Sequence, residues 1–446
     1  MDIVGAGPAG LVLALLLARR GRSVRVFERR PDPRRAHPEG GRSINLALAA
    51  RGMRVLRAAD ALDALREFCV PMPGRMLHVD GNQQFIAYGQ RADETLYSIS
   101  RATLHEQLTR SAATVVNIEL NFGQRCLGLQ SCNAGLLRMR DEVSGREYEL
   151  RSEFIIGADG AGSALRDGLC AAGALQVREE RLAHGYQEFT IPAQDGRHVW
   201  PPQALHIWPR GSFMLIALPN NDGSFTATLF LPEQGRDSFA SLAAEPHALR
   251  ALFEREFPDA SALMPQLEAE ALAHPPSSLG TVYCEPWQAP GRVLLLGDAA
   301  HAIVPFHGQG MNCALEDCLL FDELLGTGND FAAAAAQFEE RRRPDTDAIA
   351  QMALENYLEM RDSVRDPLWQ RRKALALELE QRFPARFIPR YSMVMFHAEI
   401  GYADALRRGA VQQAILEELT TGDAIDWTRA ARLVTERLAP VSAPAY

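Results

Sequence analysis

Lysine is almost absent from this chain: among 446 residues, Lys373 is the only one. A phosphate-binding loop of the Walker type needs its own lysine, so that class of nucleotide site is excluded. Lys373 follows two arginines in a charged stretch, 371–373, which predicts a solvated helix face. A Schiff-base mechanism is therefore not expected.

Paired cysteines and long apolar runs are also missing. The seven cysteines are dispersed, with no C-x-x-C pair, so the sequence predicts no metal site and no redox dithiol. An apolar run long enough to cross a bilayer needs about 18 residues. The longest run here, Leu11 to Ala18, is far shorter. Because the predicted fold begins at residue 2, we expect no leader. We therefore expect a soluble, cytoplasmic protein without a membrane anchor.

Excess positive charge is absent as well. The net charge is −9 and the isoelectric point is near 5.7, which argues against nucleic acid or an anionic membrane as a partner. The composition is that of a globular protein, 47% hydrophobic and 23% charged. A chain of this length has room for two or three domain-sized units.

The first 28 residues contain a dinucleotide-binding pattern. A short apolar strand leads to Gly5, Gly7 and Gly10, an apolar helix follows, and a second strand ends at Glu28. In this pattern the glycines allow close backbone approach, the helix N-terminus faces a pyrophosphate, and the acid binds a ribose hydroxyl. An ordinary βαβ unit with a glycine-rich turn is the alternative.

Two further acidic motifs follow buried strands far downstream. Asp159 lies in the run 157–160, and Asp298 begins the run that continues through His301 to Asn312. Ligands of open α/β sheets gather at the carboxyl ends of strands, so these acids are candidates for binding sugar or ribityl hydroxyls. His301 is a candidate general base, although a structural role suits its position better.

The rest of the pattern places a second sheet inside the first domain. Alternating apolar residues between 184 and 232, with a turn at 219–224, predict an antiparallel sheet. Helices are predicted at 243–272, and long helices at 331–343 and 345–361. The predicted fold is α/β: a Rossmann-like domain interrupted by an antiparallel-sheet domain and followed by a C-terminal helical region.

The three motifs together resemble the group A flavoprotein aromatic hydroxylases. Further segments, including 41–48, 205–210, 303–312 and 387–391, resemble the branch of that family that acts on kynurenine. Residues 415–438 are interrupted by charges, unlike the membrane-anchoring end of eukaryotic members, which indicates a bacterial soluble form. The resemblance implies an FAD domain (1–75, 101–180, 281–330), a substrate domain (76–100, 181–280) and a helical cap (331–446).

The resemblance also implies site residues. Those expected to contact FAD are Gly5, Gly7, Gly10, Glu28, Arg29, Arg42, Leu48, Arg101, Cys126, Asp159, Asp298, Gly310, Met311 and Asn312. Those expected to hold the amino-acid end of the substrate are Arg75, Tyr88, Asn356 and Tyr402. No side chain is assigned as catalytic. His307, where some eukaryotic members have phenylalanine, is expected at the edge of the pocket.

The implied activity is hydroxylation of L-kynurenine to 3-hydroxykynurenine, with NADPH and O2 as co-substrates and a flavin C4a-hydroperoxide as the oxygen donor. Three alternatives stay open: the same chemistry on another aromatic acid, an FAD-dependent reductase that consumes no O2, and a flavin-binding regulator without turnover. The small aromatic amino acid is the expected partner, and a homodimer is left open.

Overall fold

A computed structural model describes the chain except for residues 36–44, 92, 133, 246, 290, 327, 329, 360–365, 423 and 442–446. The strands are β1 (Asp2–Val4), β2 (Val24–Glu28), β3 (Asn45–Leu48), β4 (Val70–Met72), β5 (Gly74–Val79), β6 (Asn82–Ala87), β7 (Leu96–Ser100), β8 (Ile118–Phe122), β9 (Gln124–Ser131), β10 (Leu136–Asp141), β11 (Glu147–Arg151), β12 (Ile155–Gly157), β13 (Gln176–Ile191), β14 (Ala204–Pro209), β15 (Met214–Pro219), β16 (Phe225–Pro232), β17 (Ser277–Glu285), β18 (Gln288–Ala289) and β19 (Val293–Leu295).

The helices are α1 (Pro8–Arg19), α2 (Ala50–Ala58), α3 (Arg101–Ala113), α4 (Ala164–Ala171), α5 (Phe239–Ala244), α6 (Ala248–Glu256), α7 (Pro258–Ser261), α8 (Leu267–Ala273), α9 (Asp298–His301), α10 (Gly310–Leu325), α11 (Phe331–Leu358), α12 (Pro367–Arg382), α13 (Arg390–Phe396), α14 (Tyr402–Leu419) and α15 (Trp427–Arg437). Two short 3-10 helices span Asp63–Phe68 and Pro305–His307.

A six-stranded sheet carries the nucleotide fingerprint. Its order is β18-β19-β12-β1-β2-β8, and all neighbours are parallel except β18 and β19. The central strands β1, β12 and β19 are fully buried, which explains why their sequences are short, continuous apolar runs. Strands of the second sheet lie between them in the sequence, with β5 and β6 between β1 and β12 and β13 to β17 between β12 and β19, so the predicted interruption of this domain is confirmed.

The second sheet has seven strands in the order β17-β13-β16-β15-β14-β5-β6. Its neighbours are antiparallel except β14 and β5, which are parallel. The expected hairpin between β15 and β16 is present, and β13 and β17 extend the sheet beyond the predicted 184–232. Two three-stranded sheets, β11-β10-β9 and β3-β7-β4, complete the described strands. The exact domain boundaries stay a prediction.

The prediction of separate helices on either side of Pro344 is wrong. One helix, α11, runs through this proline. Proline removes one backbone N–H and crowds the preceding turn, at a cost of about 3 kcal/mol. Buried side chains on both sides of it, such as Phe338 and Ile349, pack into hydrophobic cores and outweigh that cost.

The C-terminal helices α11 to α15 cover one another and the second sheet. Helix α11 packs against α14 and against the 3-10 turn at 305–307. In the described part of the chain, no helix combines the length and the apolar character that a membrane crossing requires.

Candidate active site

The glycine turn after β1 packs closely against its neighbouring backbone because it lacks side chains. Gly5 has a φ of +103°, and a Cβ on Gly10 would lie 2.0 Å from the Gly5 carbonyl oxygen. Helix α1 then begins at Pro8, and no side chain caps its first turn. The free N–H groups of that turn are suited to a pyrophosphate. Gly7 is the N-cap residue, with open space where a Cβ would lie.

Glu28 is buried at the end of β2 and is already hydrogen-bonded. It accepts from the Ala6 backbone N–H at 2.9 Å, and from the Arg30 backbone N–H and Nε at 3.0 and 2.9 Å. Burial alone would raise the pKa of Glu28, but Arg30 and these donors bring it below its usual value. The carboxylate is therefore charged and fixed beside the glycine turn. Arg29, the next residue, is exposed.

Asp159 brings the second motif to the first. A Cβ on Gly5 would lie 2.8 Å from the Asp159 Cα, so the two segments are in contact. The Asp159 carboxylate accepts a hydrogen bond from the Ser163 hydroxyl at 2.6 Å, and burial raises its pKa. The two motifs therefore form one continuous surface at the carboxyl ends of β1 and β12.

Asp298 begins α9, directly after the left-handed Gly297. Among the described residues, none donates a hydrogen bond to its side chain. Burial raises the pKa of Asp298, and the charges of Arg101 and His301 act against this rise. The carboxylate is thus available to accept hydrogen bonds from a ligand. Arg101 is the first residue of α3 and is exposed.

Asn312 fastens α10 to β3. Its side-chain oxygen accepts from the Ala49 N–H at 3.0 Å, and its amide donates to the Ala47 and Gly308 carbonyls at 2.9 and 3.0 Å. Leu48, between the two anchored residues, is fully buried. Helix α10 begins at Gly310 without a side-chain cap, which leaves its first N–H groups open.

Three predicted cofactor residues remain to be placed. Cys126 is buried on β9, where burial raises the pKa of its thiol to about 12. Met311, in the first turn of α10, is partly exposed. Arg42 lies outside the described residues.

Arg75, Tyr88 and His307 meet around the ring of Tyr391, which the sequence did not single out. The Tyr391 ring is stacked on Tyr88 with centroids 5.5 Å apart and on His307 with centroids 5.4 Å apart. The Arg75 guanidinium carbon lies 5.6 Å from the same ring centroid. All four residues are mostly or fully buried.

This cluster holds polar atoms without partners. Within the described part of the chain, the Arg75 Nε and the His307 Nδ1 have no hydrogen-bond partner. The hydroxyls of Tyr88 and Tyr391 interact with each other. Burial lowers the pKa of His307 to about 4 and raises that of Tyr391 to about 12, so both are neutral at pH 7. The cluster therefore presents one cation and several donors and acceptors for an anionic, aromatic ligand.

Asn356 and Tyr402 contact the loop beside this cluster. The Asn356 amide donates to the Phe306 carbonyl at 2.7 Å, and the Tyr402 hydroxyl donates to the Gln309 side-chain oxygen at 2.9 Å. Tyr391 stacks on His307. Three C-terminal helices therefore contact this loop: α11 at position 306, α13 at 307 and α14 at 309. The loop that opens α10 is thus fixed by the helical cap.

A buried ionic network joins α9, α10 and α11, and the sequence analysis did not predict it. Asp317 accepts from the Gly297 N–H at 3.0 Å, pairs with His301 at 2.6 Å, and accepts from Arg342 at 2.5 Å. His301 is thereby held in place by Asp317, and its predicted structural role stays a prediction. Arg342 also contacts Cys313, which opposes cation binding by the close trio of His301, Cys313 and Asp317. In sequence, Asp317 and Arg342 are ordinary helix charges, so no pattern marks them.

Comparisons with known proteins agree with this geometry. The family described as "FAD binding domain" matches residues 1–344. A kynurenine 3-monooxygenase of Xanthomonas euvesicatoria is 47% identical over 99% of this chain and 97% of its own. That of Stenotrophomonas maltophilia is 47% identical over 96% of this chain and 94% of its own.

Solved structures support the fold alone. A tetrameric form of 2-methyl-3-hydroxypyridine-5-carboxylic acid oxygenase has a TM-score of 0.65 at 22% identity, covering 82% of this chain and 93% of its own. A probable FAD-dependent monooxygenase from Pseudomonas aeruginosa has a TM-score of 0.63 at 21% identity, covering 81% and 96%. The full-length matches and the domain match agree, and the chain belongs to the kynurenine 3-monooxygenase family of FAD-binding proteins.

Proposed function

We propose that this protein is an FAD-dependent monooxygenase that hydroxylates L-kynurenine to 3-hydroxykynurenine, with NADPH and O2 as co-substrates. The observation that carries the substrate assignment is the buried Arg75 guanidinium, whose Nε has no partner in the described part of the chain. A buried cation without an acid is costly unless a ligand supplies the negative charge. The α-carboxylate of an amino acid meets that requirement.

The residues of the first site fit FAD. The open space at Gly7, beside the uncapped first turn of α1, is the proposed cradle of the pyrophosphate, and Glu28 lies next to this turn for a ribose hydroxyl. Gly5 and Gly10 allow the close backbone packing that shapes the turn. Asp298, with no donor among the described residues, is the proposed acceptor for a ribityl hydroxyl. The remaining predicted cofactor residues, Arg29, Arg42, Leu48, Arg101, Cys126, Asp159, Gly310, Met311 and Asn312, stay proposals.

Reduced FAD, when bound, activates O2 and supplies one oxygen atom to the aromatic ring. The chain's own residues bind the substrate, orient it and enclose it. Arg75 and Tyr88 are proposed to hold the carboxylate, and the Tyr391 ring positions both of them. The aniline nitrogen of kynurenine already activates its own ring, so no protein base is required. His307 is proposed at the edge of this pocket.

Asn356 and Tyr402 are proposed to act at the substrate's amino-acid end and to fix the loop at 306–309. The apolar clusters that these helices form over the second sheet exclude water from the pocket. Exclusion matters because oxygen activation that is not coupled to substrate releases hydrogen peroxide. The helical cap therefore protects the yield of product.

A cytoplasmic location is part of the same proposal, supported by the dispersed free cysteines. A homodimer is a further proposal. The division into an FAD domain, a substrate domain and a helical cap is proposed at the boundaries given above.

A substrate panel tests the function. NADPH oxidation and oxygen uptake are measured with L-kynurenine, anthranilate and 4-hydroxybenzoate as additions to the holoenzyme. Stimulation by L-kynurenine is the expected result. Stimulation by a simple benzoate instead would favour another aromatic acid, and NADPH oxidation without oxygen uptake would favour a reductase.

A further inference from the structure

The only lysine of the chain is not on a solvated face, so that prediction is wrong. Lys373 lies on α12, is partly buried, and has its Nζ 5.0 Å from the centroid of the Trp369 ring. These residues are four apart, on one face of the helix. Trp369 in turn packs, as Ile86 and Leu205 also do, against a buried cluster that includes Leu77 and Ile207 of the second sheet. The aromatic contact and this packing explain why the lysine turns inward.

Ile86 and Leu205 are the strand neighbours of Arg75. In the sheet register, Arg75 is paired with Ile86 on β6 and with Leu205 on β14. Residues directly opposite one another on adjacent strands project to the same face. The face of α12 that carries Trp369 and Lys373 therefore covers the sheet face that carries Arg75.

We propose that Lys373 is a second cationic contact for the substrate's carboxylate, beside Arg75, an inference that rests on the proposed function. The residue would act on substrate binding and not on the oxygen chemistry. Its ligand class is a carboxylate anion attached to an aromatic amino acid.

The charges around Lys373 agree with this role. Burial and the positive charge of Arg75 lower the pKa of Lys373 to about 7, while Glu359 raises it. Tyr88 and Tyr391 are neutral at this pH because burial raises their pKa values, and His307 is neutral because burial lowers its pKa to about 4. A bound carboxylate would add a second negative charge near the two cations and favour the protonated amine.

Two substitutions and a matched control test the contact through KM. Lys373→Met should raise the KM for L-kynurenine roughly tenfold with little change in kcat, because a charge-assisted hydrogen bond is lost. Lys373→Arg should stay close to wild type. Arg372→Met removes a neighbouring charge that faces α14, where Arg372 donates to Thr420, and should change nothing. The decarboxylated amine of kynurenine should not distinguish Lys373→Met from wild type.

The pH profile supplies a readout that a structural role would not change. The wild-type KM should rise as pH increases through about 7, because the amine loses its charge. Lys373→Met and Lys373→Arg should both lack this rise, the first at high KM and the second at low KM. A rise that persists in either variant would overturn the inference.

Direct titration is possible because the chain has one lysine. Reductive methylation with 13C labels Lys373 and the N-terminal amine, and the signal missing from Lys373→Arg identifies the lysine. Saturating L-kynurenine should raise its titration midpoint by roughly one pH unit. An unmoved midpoint in an enzyme that binds and hydroxylates kynurenine would overturn this inference alone. A wild type that neither binds nor hydroxylates kynurenine would instead overturn the proposed function and this inference with it.

Discussion

The guanidinium carbon of Arg75 lies 5.6 Å from the centroid of the Tyr391 ring, although one residue is on β5 and the other on α13 near the end of the chain. The contact joins the second sheet to the helical cap. Since Tyr391 also stacks on His307, the same ring connects the substrate residues to the loop that opens α10. The proposed substrate and cofactor sites thus share a wall.

Arg75→Ala is expected to raise the KM for L-kynurenine. The lost charge-assisted hydrogen bond is worth about 1.5–3 kcal/mol, which corresponds to roughly a 10- to 150-fold change. Steady-state kinetics at saturating NADPH measure it. Arg110→Ala, which removes an exposed partner of Glu106, is the matched control. An unchanged KM would show that Arg75 does not hold the carboxylate.

Tyr391→Phe should be mild and Tyr391→Ala severe, because the ring and not the hydroxyl makes the stacking contacts. Losing a buried aromatic ring opens the pocket to water, so Tyr391→Ala should release more hydrogen peroxide per NADPH. Peroxide and 3-hydroxykynurenine are quantified in the same reaction. Equal coupling in the two variants would contradict the enclosing role of the ring.

Asp298→Ala is expected to weaken FAD retention, because the proposed acceptor for a ribityl hydroxyl is removed. The absorbance ratio of flavin to protein after gel filtration measures the bound fraction. Asp60→Asn, at a side chain that is 89% exposed, serves as the control. A fully yellow Asp298→Ala protein would contradict the assignment.

His307 predicts a pH dependence of stability. Burial lowers its pKa to about 4, whereas the unfolded chain protonates near 6.5. As pH falls, the unfolded state therefore binds the proton first, which lowers the free energy of unfolding. This loss is absent above pH 6.5 and grows as pH falls toward 4. His307→Phe should remove this component, so its Tm should fall less than the wild-type Tm between pH 7 and 5. Parallel Tm curves would contradict the burial of a neutral imidazole.

The parts of the site that depend on local backbone rules were predictable from sequence. Gly5, Glu28, Asp159 and Asp298 follow buried strands at spacings that any parallel sheet brings to one edge. The fold as an interrupted nucleotide domain followed from the same strands.

Side chains that act through long-range packing could not be recognised from the sequence. Tyr391 and Asp317 lie on helices whose sequence shows only their own amphipathic pattern, and their partners come from distant elements. Lys373 was misassigned because its arginine neighbours are charged, although the helix turns it toward Trp369. The helix through Pro344 likewise depends on packing that overrides local propensity.

Oxygen labelling tests the central claim most directly. The holoenzyme is incubated with L-kynurenine and NADPH under 18O2, and the product is analysed by mass spectrometry. The account predicts 3-hydroxykynurenine carrying one 18O atom, formed in proportion to the NADPH consumed. Recovery of unmodified kynurenine while NADPH is oxidised, or a product without the label, would contradict it.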